Sequence, residues 1–286
     1  MGRLWSLLFL MVPIFGVGIF VWAMAGWWPM QGHWLPENVN HYGTVIDNLF
    51  IFILYLTGVI FIATSIALFW FMWVYDRERN PAPVKYMHGS HTLEVVWSIL
   101  PAATLLFIAI YQMNAWANHK MRRPILSKGA DGLEYTADDI YQAPLAEVSA
   151  RQFEWRIRYP GTQGNKNKGV IGTPDDIHVV NDLHVPVNED VVLSIKSQDV
   201  LHSFFLPNLR LKQDVVPGMK QHVWFKATRE GTFDIVCAEL CGWGHYKMRG
   251  RITVESRAKF DKWLEEQRKS QEQTSFVPVQ KEEGDE

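Results

Sequence analysis

The stretch TFDIVCAELCGWGHYKM, residues 232–248, joins a short run of β-forming residues to a loop rich in metal-binding side chains. Residues 232–236 have the branched and aromatic composition of a β-strand. The loop that follows contains two thiols, an imidazole and a thioether, contributed by Cys237, Cys241, His245 and Met248. Sulfur and imidazole donors gathered in one loop favour a site for a soft or borderline metal ion at the end of a strand.

Similar short β-type runs surround this stretch from about residue 146 onward, with turn residues between them. Several short strands separated by turn signals are typical of an all-β sandwich. We predict strands at residues 148–159, 177–185, 191–197, 202–206, 221–226, 232–236 and 248–254.

Long apolar stretches precede the β-region, at residues 4–30 and 46–75, and a third covers residues 95–116. Each exceeds the ~20 residues that a helix needs to cross a bilayer. Residues 4–76 contain no lysine or arginine, which argues against buried helices of a water-soluble protein. Pro101 in the third stretch is tolerated in a membrane helix. We therefore predict two transmembrane helices, with a further apolar segment at the N-terminus.

The positive charges predict the orientation of these helices. Arg3 precedes the first stretch, whereas Arg77, Arg79 and Lys85 follow the second, so the intervening loop is expected on the outer side. The β-domain then also lies outside. We expect an integral protein of a bacterial inner membrane with its C-terminal domain on the periplasmic side.

These patterns divide the chain into four predicted parts. Residues 1–30 are an extra transmembrane helix or a signal peptide, because Ala23-Met24-Ala25 forms a small-x-small cleavage pattern. Residues 43–120 are a transmembrane helical hairpin, and residues 121–255 are the β-domain. Residues 256–286 are a C-terminal helix and a disordered acidic tail.

Composition excludes several classes of protein. The 286 residues have a formal net charge of −2, so no overall positive field favours nucleic acid. Two cysteines are too few for a disulfide-rich scaffold, and no C-x-x-C-H motif for covalent haem occurs.

His202, which begins another predicted strand, extends the ligand set to two cysteines, two histidines and one methionine. A disulfide between Cys237 and Cys241 closes a short loop with little entropic stabilisation, and it leaves His245 and Met248 unexplained. A tetrahedral zinc site gives the methionine no role. A mononuclear blue-copper site leaves one cysteine over. Two coppers bridged by both thiolates use every ligand, with one histidine on each copper and Met248 and a backbone carbonyl completing the coordination.

The loop motif CAELCGWGHYKM, together with DVLHSF at 199–204 and LKQDVVPG at 211–218, resembles subunit II of cytochrome c oxidase. The resemblance covers the helix pair at about 46–116 and the region 146–254. It implies a cupredoxin-like β-sandwich, anchored by the helices, that carries a binuclear CuA centre. It also implies an electron-transfer subunit that is not catalytic alone, within an oxidoreductase and proton translocase.

The same resemblance implies the partners and the ligands. Electrons come from cytochrome c and pass to the haem–copper catalytic subunit I, which reduces oxygen to water in a complex with further subunits. The side-chain ligands it assigns are His202, Cys237, Cys241, His245 and Met248. Glu239 offers its main-chain carbonyl to copper and its carboxylate to a magnesium ion at the subunit boundary.

Glu94 lies at the inner edge of the third apolar stretch. The resemblance places a glutamate of this position at the mouth of a proton path into the catalytic subunit. Carboxylates at membrane depth are candidates for function. The alternative is an acid at a helix N-terminus that only complements the helix dipole.

The candidates for electron uptake are the aromatic residues Phe153, Trp155 and Trp243, and here the sequence departs from the family. The family commonly has a tryptophan and a second aromatic ahead of the position of Trp155, whereas this chain has Phe153 and Glu154. Trp243 lies in the ligand loop between two glycines. It is either an exposed contact for the donor or a side chain that packs the loop onto the sandwich.

Two other functions compete with this interpretation. A quinol-oxidising relative of the same architecture would lack the copper ligands, all of which occur here. A membrane-tethered copper carrier would need exchangeable copper, and a closed site with five side-chain ligands does not suit that purpose.

Overall fold

The computed structural model describes residues 2–76, 80–83, 86, 88–162 and 170–275. Arg77, Arg79 and Lys85, used above to predict orientation, lie outside these residues, as does the acidic C-terminal tail. The chain divides into two compact units. The first comprises Met1–Glu37 and Val45–Ala115, and the second comprises Asn38–Thr44 and Trp116–Glu286. The four predicted domain boundaries stay predictions.

The first unit is built from three long apolar helices, α1 (Gly2–Ala25), α2 (Gly43–Val74) and α3 (His91–Lys120), of which α3 ends in the second unit. All three are long and apolar enough to cross a membrane, and hardly any of their side chains are buried. Apolar helices that remain exposed are what a lipid environment requires, because their backbone groups are paired within the helix. The prediction of apolar helices before a β-domain is confirmed.

The second unit contains β-strands and a C-terminal helix. The strands are β1 (Ile125–Ser127), β2 (Ile140–Tyr141), β3 (Ala146–Arg151), β4 (Glu154–Tyr159), β5 (Ile177–Val180), β6 (Asp182–Pro186), β7 (Asp190–Ser197), β8 (His202–Leu206), β9 (Leu211–Val215), β10 (Gln221–Lys226), β11 (Gly231–Cys237) and β12 (Arg249–Glu255). The helix, α4, spans Arg257–Ser275.

Two five-stranded sheets form the sandwich, with strand orders β10-β7-β3-β4-β5 and β6-β12-β11-β8-β9. The pairs β3–β7 and β6–β12 are parallel, and the other pairs in these two sheets are antiparallel. Alternate residues of each strand point inward, so the core lies between the sheets. Its largest fully buried side chains include Trp155, Tyr159, Phe204 and Phe225. The predicted sandwich is confirmed.

Some predicted strands are wrong in their bounds. The run 148–159 is two antiparallel strands, because Gln152 and Phe153 form a turn that pairs Arg151 with Glu154. The run 177–185 breaks at Asn181, whose φ of 58° interrupts the extended backbone. Strand β9 was not predicted because its lysine, glutamine and aspartate hide the alternation, yet it pairs along β8 from His202↔Val215 onward.

The residues before α2 belong to the sandwich unit. Asn40 forms a β-bridge with Ala227, and its side-chain amide donates to the carbonyl oxygen of Leu209 at 2.8 Å. Asn40 is 3% exposed, so these bonds satisfy a buried polar side chain. Sequence patterning missed this attachment because a single bridge has no periodicity.

Candidate metal centre

Two neighbouring strands bring the first two predicted ligands to one end of the second sheet. Cys237 ends β11 and pairs with Phe204 of β8. His202 begins β8 two residues earlier, so it lies on the same face as Phe204. The Nδ1 atom of His202 lies 3.9 Å from the Sγ atom of Cys237, and His202 is fully buried.

The loop between β11 and β12 supplies the other predicted ligands. The Sγ atoms of Cys237 and Cys241 are 3.9 Å apart. The Cys241 sulfur also lies 3.7 Å from Nδ1 of His245 and 3.8 Å from Sδ of Met248. The main-chain oxygen of Glu239 is 3.3 Å from the sulfur of Cys237. All of the predicted ligand atoms therefore converge, although His202 is remote in sequence.

These spacings fit the donors of a metal site. Both cysteines are free thiols, so the disulfide alternative does not apply to this structure. Two ligands that lie about 2.3 Å from one ion at the tetrahedral angle are ~3.8 Å apart. The distances of 3.7–3.9 Å between neighbouring donors match that value. His202, Cys237 and Cys241 form a buried group that could hold an ion.

Electrostatics also favour a cation between the two sulfurs. Burial raises the pKa of the Cys241 thiol, and the adjacent Cys237 raises it further. Burial opposes ionisation of Cys237 too, but hydrogen bonds from His202 and from the backbone of Ser203 outweigh it and lower its pKa. The protein alone thus stabilises one thiolate and disfavours the second. A metal ion held by Cys237 and Cys241 would allow both thiols to ionise.

A shell of hydrogen bonds surrounds the ligands. Asp199 Oδ1 lies 2.8 Å from Nε2 of His202, and this pairing directs Nδ1 toward Cys237. The backbone amide of Gln152 donates to the other carboxylate oxygen of Asp199 at 2.7 Å. The sequence motif at 199–204 includes Asp199, but no role was predicted for it, and Gln152 was not predicted at all. The three-residue spacing from Asp199 to His202 was a signal for the first, whereas no local signal pointed to the second.

The candidate aromatic residues occupy different environments. Trp243 is 81% exposed, and its ring meets that of Phe153 edge-on with centroids 5.2 Å apart. Trp155 is fully buried, with its ring centroid 6.3 Å from that of His202 and 5.3 Å from that of Phe204. Trp155 therefore presents no surface to a donor, because it is part of the sandwich core.

The glycines beside Trp243 have a packing reason. A Cβ on Gly244 would lie 2.5 Å from Cδ2 of Phe153, and one on Gly242 would lie 2.7 Å from Nε2 of Gln152. Gly242 also has a φ of 136°, which side-chain-bearing residues rarely adopt. The β3–β4 turn thus packs directly on the backbone of the ligand loop, and this contact leaves the Trp243 side chain outside.

The remaining candidates lie as follows. Glu94 is in the first turn of α3, where its Oε2 is 3.8 Å from Nδ1 of His91, and its side chain is 55% exposed. Glu239 is half-buried in the ligand loop. Glu94 is not part of the metal cluster.

The apolar helices, the cupredoxin-like sandwich and the cluster of soft donors indicate a membrane protein whose outer domain has a site suited to a soft metal ion such as copper. The family model for the transmembrane domain of cytochrome c oxidase subunit II matches residues 36–115, and that for its periplasmic domain matches residues 165–256. Together they match more than half of the chain, which belongs to the cytochrome c oxidase subunit II family. The chain is thus an electron-transfer subunit of an oxidoreductase complex, and that prediction is confirmed.

Individual proteins resemble this chain to different extents. The chain is 28% identical over 286 residues to cytochrome c oxidase subunit 2 of Thermostichus vulcanus, covering 86% of this chain and 82% of the relative. It is 36% identical over 143 residues to the alternative cytochrome c oxidase subunit 2 of Bradyrhizobium diazoefficiens, covering 44% and 52%. The crystal structure of the periplasmic domain of subunit II of cytochrome oxidase from Bradyrhizobium japonicum is 28% identical, with a TM-score of 0.38, covering 44% of this chain and 93% of that one.

Proposed function

We propose that the outer domain holds a binuclear copper centre that accepts electrons from cytochrome c and passes them to the haem–copper catalytic subunit I. The observation that carries the proposal is the pair of buried sulfurs 3.9 Å apart, with an imidazole nitrogen beside each of them. The thioether of Met248 lies beside the sulfur of Cys241, and the carbonyl oxygen of Glu239 lies beside the sulfur of Cys237. This arrangement supports one further ligand for each copper. When bound, the copper pair supplies a one-electron couple.

The protein's own residues hold this site rigid and dry. His202 and Met248 are fully buried, and the two cysteines are no more than 7% exposed. Asp199 orients His202 through its ring nitrogen. Ligands fixed in this way change position little when the charge of the centre changes, and this lowers the reorganisation that accompanies electron transfer.

Electron uptake is proposed to occur through Trp243, with Phe153 beside it. Trp243 is the more exposed of the pair, and it lies in the same loop as four of the ligands. An exposed aromatic ring suits a transient contact with a redox partner. Trp155 cannot contact the donor directly, because its ring is buried beside that of His202, so any part it plays in electron transfer lies inside the domain.

Two carboxylates are proposed to act at the boundary with the catalytic subunit. The side chain of Glu239 would bind a magnesium ion, and its main-chain oxygen, 3.3 Å from the sulfur of Cys237, would be available to copper. Glu94 is proposed to admit protons at the inner side of the membrane. We further propose that the membrane is a bacterial inner membrane with the sandwich on its periplasmic side.

Copper counting and electron paramagnetic resonance on the purified full chain test the central proposal. Two coppers per chain, with one unpaired electron shared by two copper nuclei, is the expected result. A single copper with a localised electron, or zinc in place of copper, would contradict the binuclear centre.

A further inference from the structure

Gln152 makes two hydrogen bonds to different parts of the metal centre. It occupies the turn between β3 and β4. Its backbone amide donates to Asp199 Oδ2 at 2.7 Å, and its side-chain amide donates to the main-chain oxygen of Cys241. These two acceptors belong to separate segments of the chain, the β7–β8 loop and the ligand loop.

Each acceptor controls one ligand. Asp199 is bonded to the ring of His202, whereas the acceptor peptide of Cys241 is continuous with the Cys241 sulfur. His202 begins β8 whereas Cys241 lies in the ligand loop, and neither hydrogen-bonds to the other's backbone in the described residues. Gln152 therefore connects His202 to Cys241 through hydrogen bonds, although Gln152 is not a ligand.

The ligand loop is shaped to receive this side chain. A Cβ on Gly242 would approach Nε2 of Gln152 to 2.7 Å, so a larger residue there would push the amide away from its present position at the Cys241 carbonyl. Without the Gln152 amide, water could hydrogen-bond to the Cys241 carbonyl, but a water molecule would not fix the position of that carbonyl.

We propose that Gln152 is a positioning residue of the metal centre, which keeps the His202 and Cys241 ligands in a fixed relation by bonding to Asp199 and to the Cys241 carbonyl. This inference rests on the proposed copper function. Groups outside the ligand set that orient ligands typically change metal affinity about 10- to 100-fold when they are removed. Gln152 should therefore affect the spectrum, the reduction potential and the retention of copper together.

The test uses the full chain, loaded with copper in detergent, in four forms: wild type, Gln152→Ala, Gln152→Met and Gln198→Ala. Methionine preserves the volume of glutamine but has no amide to donate. Gln198 is an exposed glutamine beside Asp199 and serves as the matched control. The measurements are copper content, electron paramagnetic resonance, reduction potential and the rate of copper loss to a chelator.

Both Gln152 variants should bind copper but show altered hyperfine couplings, a shifted potential and copper loss that is about 10- to 100-fold faster, while Gln198→Ala matches the wild type. If Gln152→Met behaves as wild type, side-chain volume rather than the hydrogen bond is what matters, and the proposal is overturned. Unaltered Gln152 variants beside a normal wild type overturn this inference alone. A wild-type chain without the shared-electron signal overturns the proposed function as well.

Discussion

Phe153 and Trp243 pack edge to face across two loops, with their ring centroids 5.2 Å apart. Phe153 belongs to the β3–β4 turn and is partly buried, whereas Trp243 belongs to the ligand loop and is 81% exposed. The contact gives the two residues different tasks. Phe153 packs against the backbone of the loop at Gly242 and Gly244, whereas Trp243 stays exposed, as its proposed contact with a redox partner requires.

Replacement of Trp243 separates donor contact from loop packing. We expect Trp243→Ala to slow electron uptake from cytochrome c at least about tenfold, because truncation of an exposed aromatic anchor removes much of a small interface. Phe153→Ala should slow uptake less, and any effect should accompany a disturbed copper spectrum. Stopped-flow reduction of the assembled oxidase measures both. Loss of copper in Trp243→Ala would show instead that its ring packs the site.

The paired sulfurs predict different outcomes for different ligand substitutions. Cys237→Ser and Cys241→Ser should each abolish the binuclear signal, because both thiolates are needed to bridge two coppers. Met248→Leu should retain copper but alter its reduction potential, because a thioether is a weak ligand that tunes the metal more than it holds it. Copper analysis, spectroscopy and redox titration distinguish these results. Wild-type copper content and spectrum in either serine variant would contradict the assignment.

Glu94 offers a test of proton uptake. Glu94→Ala should slow oxygen-consuming turnover of the assembled oxidase several-fold while leaving copper reduction intact, because the proposed copper site belongs to the other compact unit. Asp76 lies just after α2 and provides a control, since Asp76→Asn should leave turnover unchanged. Unchanged turnover and haem reduction kinetics in Glu94→Ala would remove the proton role and favour the helix-dipole interpretation.

Asp176 is a buried carboxylate that hydrogen-bonds to residues at both ends of the long loop between β4 and β5. Its side chain is fully buried and lies 2.6 Å from Nε of Arg158. It accepts hydrogen bonds from the backbone amides of Gly161 at 3.1 Å and Gly172 at 2.6 Å, and from the hydroxyl of Thr173 at 2.5 Å. Burial opposes its ionisation, but these bonds and Arg158 outweigh burial and lower its pKa.

Removal of this carboxylate should destabilise the sandwich. Asp176→Ala is expected to lower the free energy of unfolding by about 2 kcal/mol or more, because several donors lose a charged acceptor. A lowered folded-state pKa means that the stabilisation is present above the unfolded pKa and is lost as pH falls through the folded one. Below about pH 4 the difference between variant and wild type should therefore shrink.

Urea unfolding of the full chain in detergent, followed at neutral and at acid pH, measures this effect. Asp234→Ala removes an exposed carboxylate of β11 and serves as the control, with an expected change within about 0.5 kcal/mol. A difference between Asp176→Ala and wild type that grows as pH falls would contradict the sign of this linkage.

Much of the architecture followed from local pattern. The apolar stretches are longer than any soluble core helix requires, so two membrane helices and a further apolar N-terminal segment could be predicted from composition. Strand bounds were less accurate where a turn lacked a clear signal. The turn at Gln152 and Phe153 contains no glycine or proline, and the break at Asn181 is a single residue in a left-handed conformation. Pairing between strands decided both.

The sequence by itself determined the donor chemistry of this protein, because four of the five predicted side-chain ligands lie in residues 237–248, within reach of one loop. Only the tertiary structure decided how the centre is completed and held. His202 reaches Cys237 because β8 pairs with β11, and Gln152 meets Asp199 because the parallel strands β3 and β7 end side by side. Contacts of this kind depend on strand register, which arises from packing over the whole sandwich, and no local pattern encodes it.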